Sequence, residues 1–365
     1  MSGRPGANAW ASPTSPKSPP EPGTRQADYP KPAALSVIHR LAPGRSGMGD
    51  IRTSPLVLGA YEARRKTHWL VAWVISFVVG VIIVSSVIHE VGLSVLDAEA
   101  NSYRGQWVEL LTNAGTLLVL FLWLRLFERR PFASVGLRGR GPSRLAMGFA
   151  GGIGIFIVPV LVLWGTGQLS STGSAHTESG VSALLPILLL IPVWIVQGST
   201  EEIVTRGYLL QNNATQLPGW LAVVLVSVGF GVVHLEFSPI PLLTIIVVSL
   251  AFVLIALADG SLWLVCGLHA GWNFAQGNVF GIPVSGVPRD VSLLTFGPAA
   301  GSNDLLTGGE FGVEASLLSL VVWALIALLA FPRFRRAQLQ RETDRVPLAA
   351  YEAGNGASTD KPEAG

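Results

Sequence analysis

The chain alternates long apolar stretches with short polar ones. Eight runs of about twenty residues, near 69–88, 107–127, 145–165, 182–210, 218–235, 239–257, 261–279 and 313–332, carry almost no charge. A helix rises 1.5 Å per residue, so a run of that length covers the ~30 Å hydrocarbon layer of a bilayer. The pattern predicts an all-α fold, a polytopic membrane helix bundle of about eight transmembrane helices. Its flanks read differently. Residues 1–60 are rich in Pro, Ser, Gly and Ala with no sustained period, as in "SPTSPKSPPEPG", and residues 336–365 end on "YEAGNGASTDKPEAG". Such segments bury too little apolar surface to offset ordering entropy, so both are expected to be disordered tails. Between them, residues 61–144 read as two transmembrane helices with a basic loop, and 145–335 as a second unit.

Composition sharpens this picture. Half of the 365 residues are apolar and only 13% are charged, too few to build an ordinary water-facing surface. The positive charges cluster at alternate helix ends: Arg64, Arg65 and Lys66; Arg129, Arg130, Arg138, Arg140 and Arg144; Arg333, Arg335, Arg336 and Arg341. The intervening loops carry Glu90, Asp97, Glu99, Glu178, Asp290, Asp304 and Glu310 against Arg104 and Arg289. Positive charge is kept on the cytoplasmic side, so both termini are expected in the cytoplasm. The style of the tails suggests a bacterial cell membrane. The first thirty residues lack the pattern of a removable signal peptide. A formal net charge of +2, with the basic residues beside membrane runs, argues against nucleic acid as a partner. The expected surroundings are membrane lipid and a protein or peptide substrate near it. Cys266 is the single cysteine, which excludes an intramolecular disulfide. Gly148, Gly151, Gly152 and Gly154 follow no strand and read as a close helix-packing face.

Charge within a bilayer is costly, so an ionisable residue inside a spanning run points to function and to a partner. Three runs carry such groups. "GSTEEIVTRGYLLQ" holds Glu201, Glu202 and Arg206. A spacing of four puts Glu202 and Arg206 on one helix face, while Glu201 points about 100° away and lacks that partner. "GFGVVHLEF" places Phe230 and His234 on one face, and "CGLHAGWNF" does the same for His269 and Asn273. Each group alone would be expensive, and together they can satisfy one another. The depths of Glu201, His234 and His269 agree if the stretch 211–218 is a turn projecting beyond the membrane.

The set EExxxR, FxxxH, HxxxN in this order resembles the CPBP (CaaX protease and bacteriocin-processing, or Abi) membrane proteins, which include the type II CaaX prenyl proteases. The resemblance covers roughly residues 145–280, and "FERRPFASVGL" at 127–137 is similar to the segment preceding this domain in bacterial members. It implies an intramembrane endopeptidase with a water-filled cavity in the bundle. By position, Glu201 would activate water with help from His234. His269 and Asn273 would stabilise the oxyanion, and Glu202 with Arg206 would hold the first carboxylate. No cofactor is favoured, but Glu201, His234 and His269 could together hold zinc with a water as fourth ligand. "HEVGL" at 89–93 has Leu93 where HExxH needs its second His, so the zincin-type site is absent.

Two other readings compete. A membrane transporter also buries acids and histidines, but it needs a polar path to both faces, and the first three runs and the last lack buried acids. A catalytically inactive immunity or scaffold protein of the same family would keep the fold without the chemistry, against which the intact motifs argue. Oligomeric state and substrate identity are not legible in the residues.

Overall fold

A computed structural model describes residues 51–172 and 178–356, with side chains as far as Thr343. All eight apolar runs fall on helices. Five helices are long and apolar enough to cross a membrane: α1 (Trp69–Leu96), α2 (Tyr103–Glu128), α3 (Gly141–Gly165), α7 (Pro239–Asp259) and α9, which begins at Leu317. A sixth span is broken into α4 (Gly180–Leu189) and α5 (Ile191–Gln216), bent by 51°. Pro192 in the first turn of α5 removes a backbone donor and crowds the carbonyl four residues back, so the bend falls there. The remaining two are shorter: α6 (Gly219–Val232) and α8 (Trp263–Phe274), which continues through a π-helical turn at Ala275–Val279.

Three expectations are corrected. Residues 51–62 are not part of a tail. They form short helical turns with Ile51, Leu56 and Val57 buried, and Gln211 Nε2 donates to the carbonyls of Leu56 and Ser134 at 2.7 and 2.8 Å. The tail from residue 336 is also overtaken, because α9 runs unbroken to Gly356. Arg341 on this extension donates to the carbonyls of Leu257 and Ala258 at 3.0 and 3.1 Å, covering carbonyls that the last turn of α7 leaves unpaired. Finally, 211–216 is the last stretch of α5, with Asn212 and Asn213 buried. Arg52 reaches the carbonyls of Ala214 and Leu217 at 2.9 and 3.2 Å, so this end is capped by the 51–62 segment. The remainder of both tails, 1–50 and 357–365, lies outside the described residues.

The centre of the bundle is α8, held between α3 and α5 by glycines. A Cβ on Gly148 or Gly152 of α3 would stand 2.2 Å from the carbonyl oxygens of Leu264 and Leu268. A Cβ on Gly267 or Gly271 of α8 would likewise stand 2.2 and 2.0 Å from the Leu145 and Phe149 oxygens. Small residues on both partners let the backbones touch, the packing mode favoured where no hydrophobic effect drives helices together. Gly198 of α5 approaches Ala270 of α8 in the same way, at 2.7 Å to its backbone nitrogen. Gly154, by contrast, faces open space. Gly267→Ala is therefore expected to cost about 1–3 kcal/mol through overpacking, and Gly154→Ala nothing, as melting temperatures of both variants in detergent will show.

The stretch from Phe280 to Ser316 folds over the end of the bundle in short strands. β1 (Leu169–Ser171) pairs antiparallel with β4 (Phe296–Pro298), and β2 (Glu178–Ser179) pairs parallel with β3 (Val291–Ser292). Arg289 anchors it to α2 through Glu109 at 2.6 Å, with its guanidinium 4.9 Å above the Trp194 ring.

Candidate active site

The facing sides of α5 and α8 carry polar side chains at successive levels. Because the helices run antiparallel, Glu202 meets His269, Gln197 meets Asn273, and Trp194 meets Asn278. The distances are 2.8 Å from His269 Nδ1 to Glu202 Oε1, 3.0 Å from Asn273 Nδ2 to Gln197 Oε1, and 2.5 Å from Trp194 Nε1 to Asn278 Oδ1. The glycine contact at Gly198 lies within this ladder and sets its width.

Glu202 and Arg206 form the buried pair that their spacing predicts. Arg206 Nη1 donates to Glu202 Oε1 at 3.0 Å, and neither side chain has accessible surface. The guanidinium lies 4.2 Å from the Phe230 ring centre and 5.5 Å from that of Phe252 on α7. Two aromatic faces thus replace the hydration an arginine would otherwise have. Phe230 has a second contact, with its ring 4.7 Å from that of His234. The FxxxH spacing thereby joins the arginine pair to the histidine.

Glu202 Oε1 accepts from two partners, Arg206 and His269. The resemblance implies that Glu202 and Arg206 hold the first carboxylate; as placed, Glu202 bonds to the His269 imidazole, with Arg206 on the same carboxylate oxygen. A carboxylate can only accept, so Nδ1 of His269 carries the proton in this contact. Its Nε2 stands 3.7 Å from Glu201 Oε2, too far for a hydrogen bond, so His269 is bonded to one carboxylate and lies beside the other. His234 has its Nδ1 2.7 Å from the Phe230 carbonyl, which likewise fixes the proton on Nδ1 and leaves Nε2 as an acceptor when the ring is neutral.

Glu201 is not without a local partner, as helical spacing to Arg206 had implied. Gln197, one turn earlier on the same face, donates from Nε2 to Glu201 Oε1 at 2.5 Å. The signal for this contact is a polar amide at i−4, on the same helix face as Glu201. Glu201 also differs from Glu202 in exposure: 30% of its side-chain surface is accessible, against none for its neighbour. Of the two, only Glu201 can meet water. The helix that carries both widens into π-helical turns over Ile203–Leu209, an irregularity common at functional sites.

Glu314, which belongs to no motif, stands in the turn before α9, close enough for the charges of Glu201 and His269 to act on it. It accepts from Ser285 at both N (2.5 Å) and Oγ (3.0 Å). Burial pushes its carboxyl up to about 7, and the Ser285 donors only partly counter this. A raised native pKa gives stability that is complete below the unfolded-state value and is lost as pH rises through about 7. The melting temperature is expected to fall between about pH 5 and 8 more steeply in the wild type than in Glu314→Gln. Parallel curves would contradict this.

Among the described residues, no three His, Cys, Asp or Glu side chains stand close enough together, as placed, to share an ion.

An apolar helix bundle with carboxylate, imidazole and amide groups gathered inside it defines an integral membrane protein with an internal polar site. Residues 183–275 match the family model described as Type II CAAX prenyl endopeptidase Rce1-like, in agreement with the three motifs. No curated protein and no solved structure matches the chain. The match covers α4 to α8, the helices that bring the ladder together, and its implication is a protease of the CAAX type acting at the membrane.

Proposed function

We propose that the protein is a glutamate-based intramembrane endopeptidase that hydrolyses a peptide bond of a membrane-associated or lipidated protein with a water activated by Glu201. The observation that supports it best is the division between two adjacent acids, Glu202 sealed and doubly bonded, Glu201 accessible beside His269. In this reading Glu201 takes a proton from water while the Nε2 lone pair of His234 helps to orient it. The water oxygen attacks the carbonyl carbon. The resulting oxyanion is met by the second N–H of the Asn273 amide and by Nε2–H of protonated His269, whose other nitrogen is fixed on Glu202. Fixed donors of this kind need no reorganisation as charge develops. When the C–N bond breaks, the proton on Glu201 passes to the departing amine.

The mechanism needs no metal, so activity is expected to survive exhaustive chelation of the purified protein. Stoichiometric zinc, with activity lost on its removal and restored on its return, would overturn it. Topology is part of the same reading. A reporter at the C-terminus should be cytoplasmic and one inserted at Ser302 should lie outside, as the charge asymmetry of the loops requires.

A further inference from the structure

We infer that Gln197 is a positioning residue that ties the general base to the oxyanion donor, so that one amide sets both reacting groups. The inference rests on the reading of Glu201 as base. Gln197 donates from Nε2 to Glu201 Oε1 at 2.5 Å and accepts at Oε1 from Asn273 Nδ2 at 3.0 Å. The orientation of both amides follows from the charge on the acid. An ionised carboxylate only accepts, so Gln197 must turn its NH2 toward Glu201 and its oxygen toward α8. Asn273 must then present NH2 to Gln197. One of its two amide hydrogens is used in this contact, and the other is left to meet the oxyanion in the reaction proposed above. Were the Gln197 amide reversed, its oxygen would face the carboxylate and Asn273 would turn its own oxygen toward the scissile bond. The charge of the base therefore dictates the polarity of the oxyanion donor, through a single side chain.

The surroundings hold this link firmly. Gly198 brings the α5 backbone against Ala270, and Trp194 bonds to Asn278 one turn away, so the distance between Gln197 and Asn273 is set by contacts on both sides. Gln197 itself is half-buried. Replacement by an isosteric apolar side chain should thus be tolerated by the fold.

The test uses the full-length protein in nanodiscs as wild type, Gln197→Met, Gln197→Glu and Glu201→Gln. A substrate-free readout comes first: the carboxylate stretching band of Glu201, isolated as the infrared difference between wild type and Glu201→Gln. That band is expected to move in both Gln197 variants, because a carboxylate oxygen that loses an N–H donor absorbs at another frequency. The second readout is cleavage of an internally quenched peptide carrying a farnesylated CaaX cysteine. Gln197→Met should lower kcat about 10- to 100-fold with KM within about twofold, the signature of misplaced reacting groups rather than lost binding. Gln197→Glu keeps the acceptor for Asn273 but sets a second acid against Glu201, and it should be the more damaged of the two. An unmoved Glu201 band in Gln197→Met overturns the inference, as does a loss of activity that follows a loss of thermal stability. If Glu201→Gln cleaves the peptide like the wild type, the reading of Glu201 as base fails instead, and the band still reports whether Gln197 binds it.

Discussion

Glu201→Gln is expected to accumulate and melt like the wild type while its proteolytic rate falls by about 10²- to 10⁴-fold, the usual contribution of a general base. The substitution keeps the shape and removes the proton acceptor. Gln197 can still donate to position 201 without turning its own amide, since an amide oxygen remains available there. The Glu202–Arg206 pair and the Glu202–His269 contact do not involve this side chain, so the buried charge balance around them stays as it is. Fold and function should separate cleanly, and the comparison of melting temperature in detergent with cleavage rate reads both. A well-folded variant with wild-type activity would remove Glu201 from the chemistry. A Glu201 substitution that leaves the biological function intact, with no cleavage by either protein, would decide instead for an inactive immunity or scaffold protein that keeps the family's residues without their reaction.

What could be read in advance divides along physical lines. Spanning helices are written locally, as apolar length, so every run found its helix. The three motifs were legible because i, i+4 places Glu202 with Arg206, Phe230 with His234, and His269 with Asn273 before any tertiary structure is known. Relations between helices are not written that way. Nothing in the sequence tells that Glu202 would serve His269 rather than Glu201, because that depends on how far Gly148, Gly152, Gly198, Gly267 and Gly271 let three backbones approach. Residues 51–62 failed for a related reason. Their composition resembles the tail before them, and their order comes from Gln211, Arg130 and Arg52 reaching across the bundle. Glu314 stands at the very start of the last apolar run, 313–332, where an acid reads as a solvated end group until its surroundings are known.

Glu202 gives the second large effect, and it is an effect on folding and chemistry together. Its Oε1 accepts from Arg206 at 3.0 Å and from His269 at 2.8 Å, in a place where neither Glu202 nor Arg206 has accessible surface. Glu202→Gln leaves the guanidinium with no full countercharge, and breaking a buried pair by removing one partner costs about 3–5 kcal/mol. The Phe230 and Phe252 rings soften this without cancelling it. The variant should therefore melt much lower than the wild type and accumulate poorly. Replacing both partners by apolar groups of similar size is a different matter, because it removes the desolvated charges along with their attraction and is often neutral or stabilising. The double variant Glu202→Leu, Arg206→Met should recover most of the lost stability. It should not recover activity, because His269 then has no carboxylate to fix its Nδ1 proton or the direction of its Nε2. A double variant that folds and cleaves at the wild-type rate would show that the ion pair serves the fold alone. A Glu202→Gln protein that is stable but inactive would mean that the catalytic and structural roles of the two neighbouring acids are the reverse of those proposed.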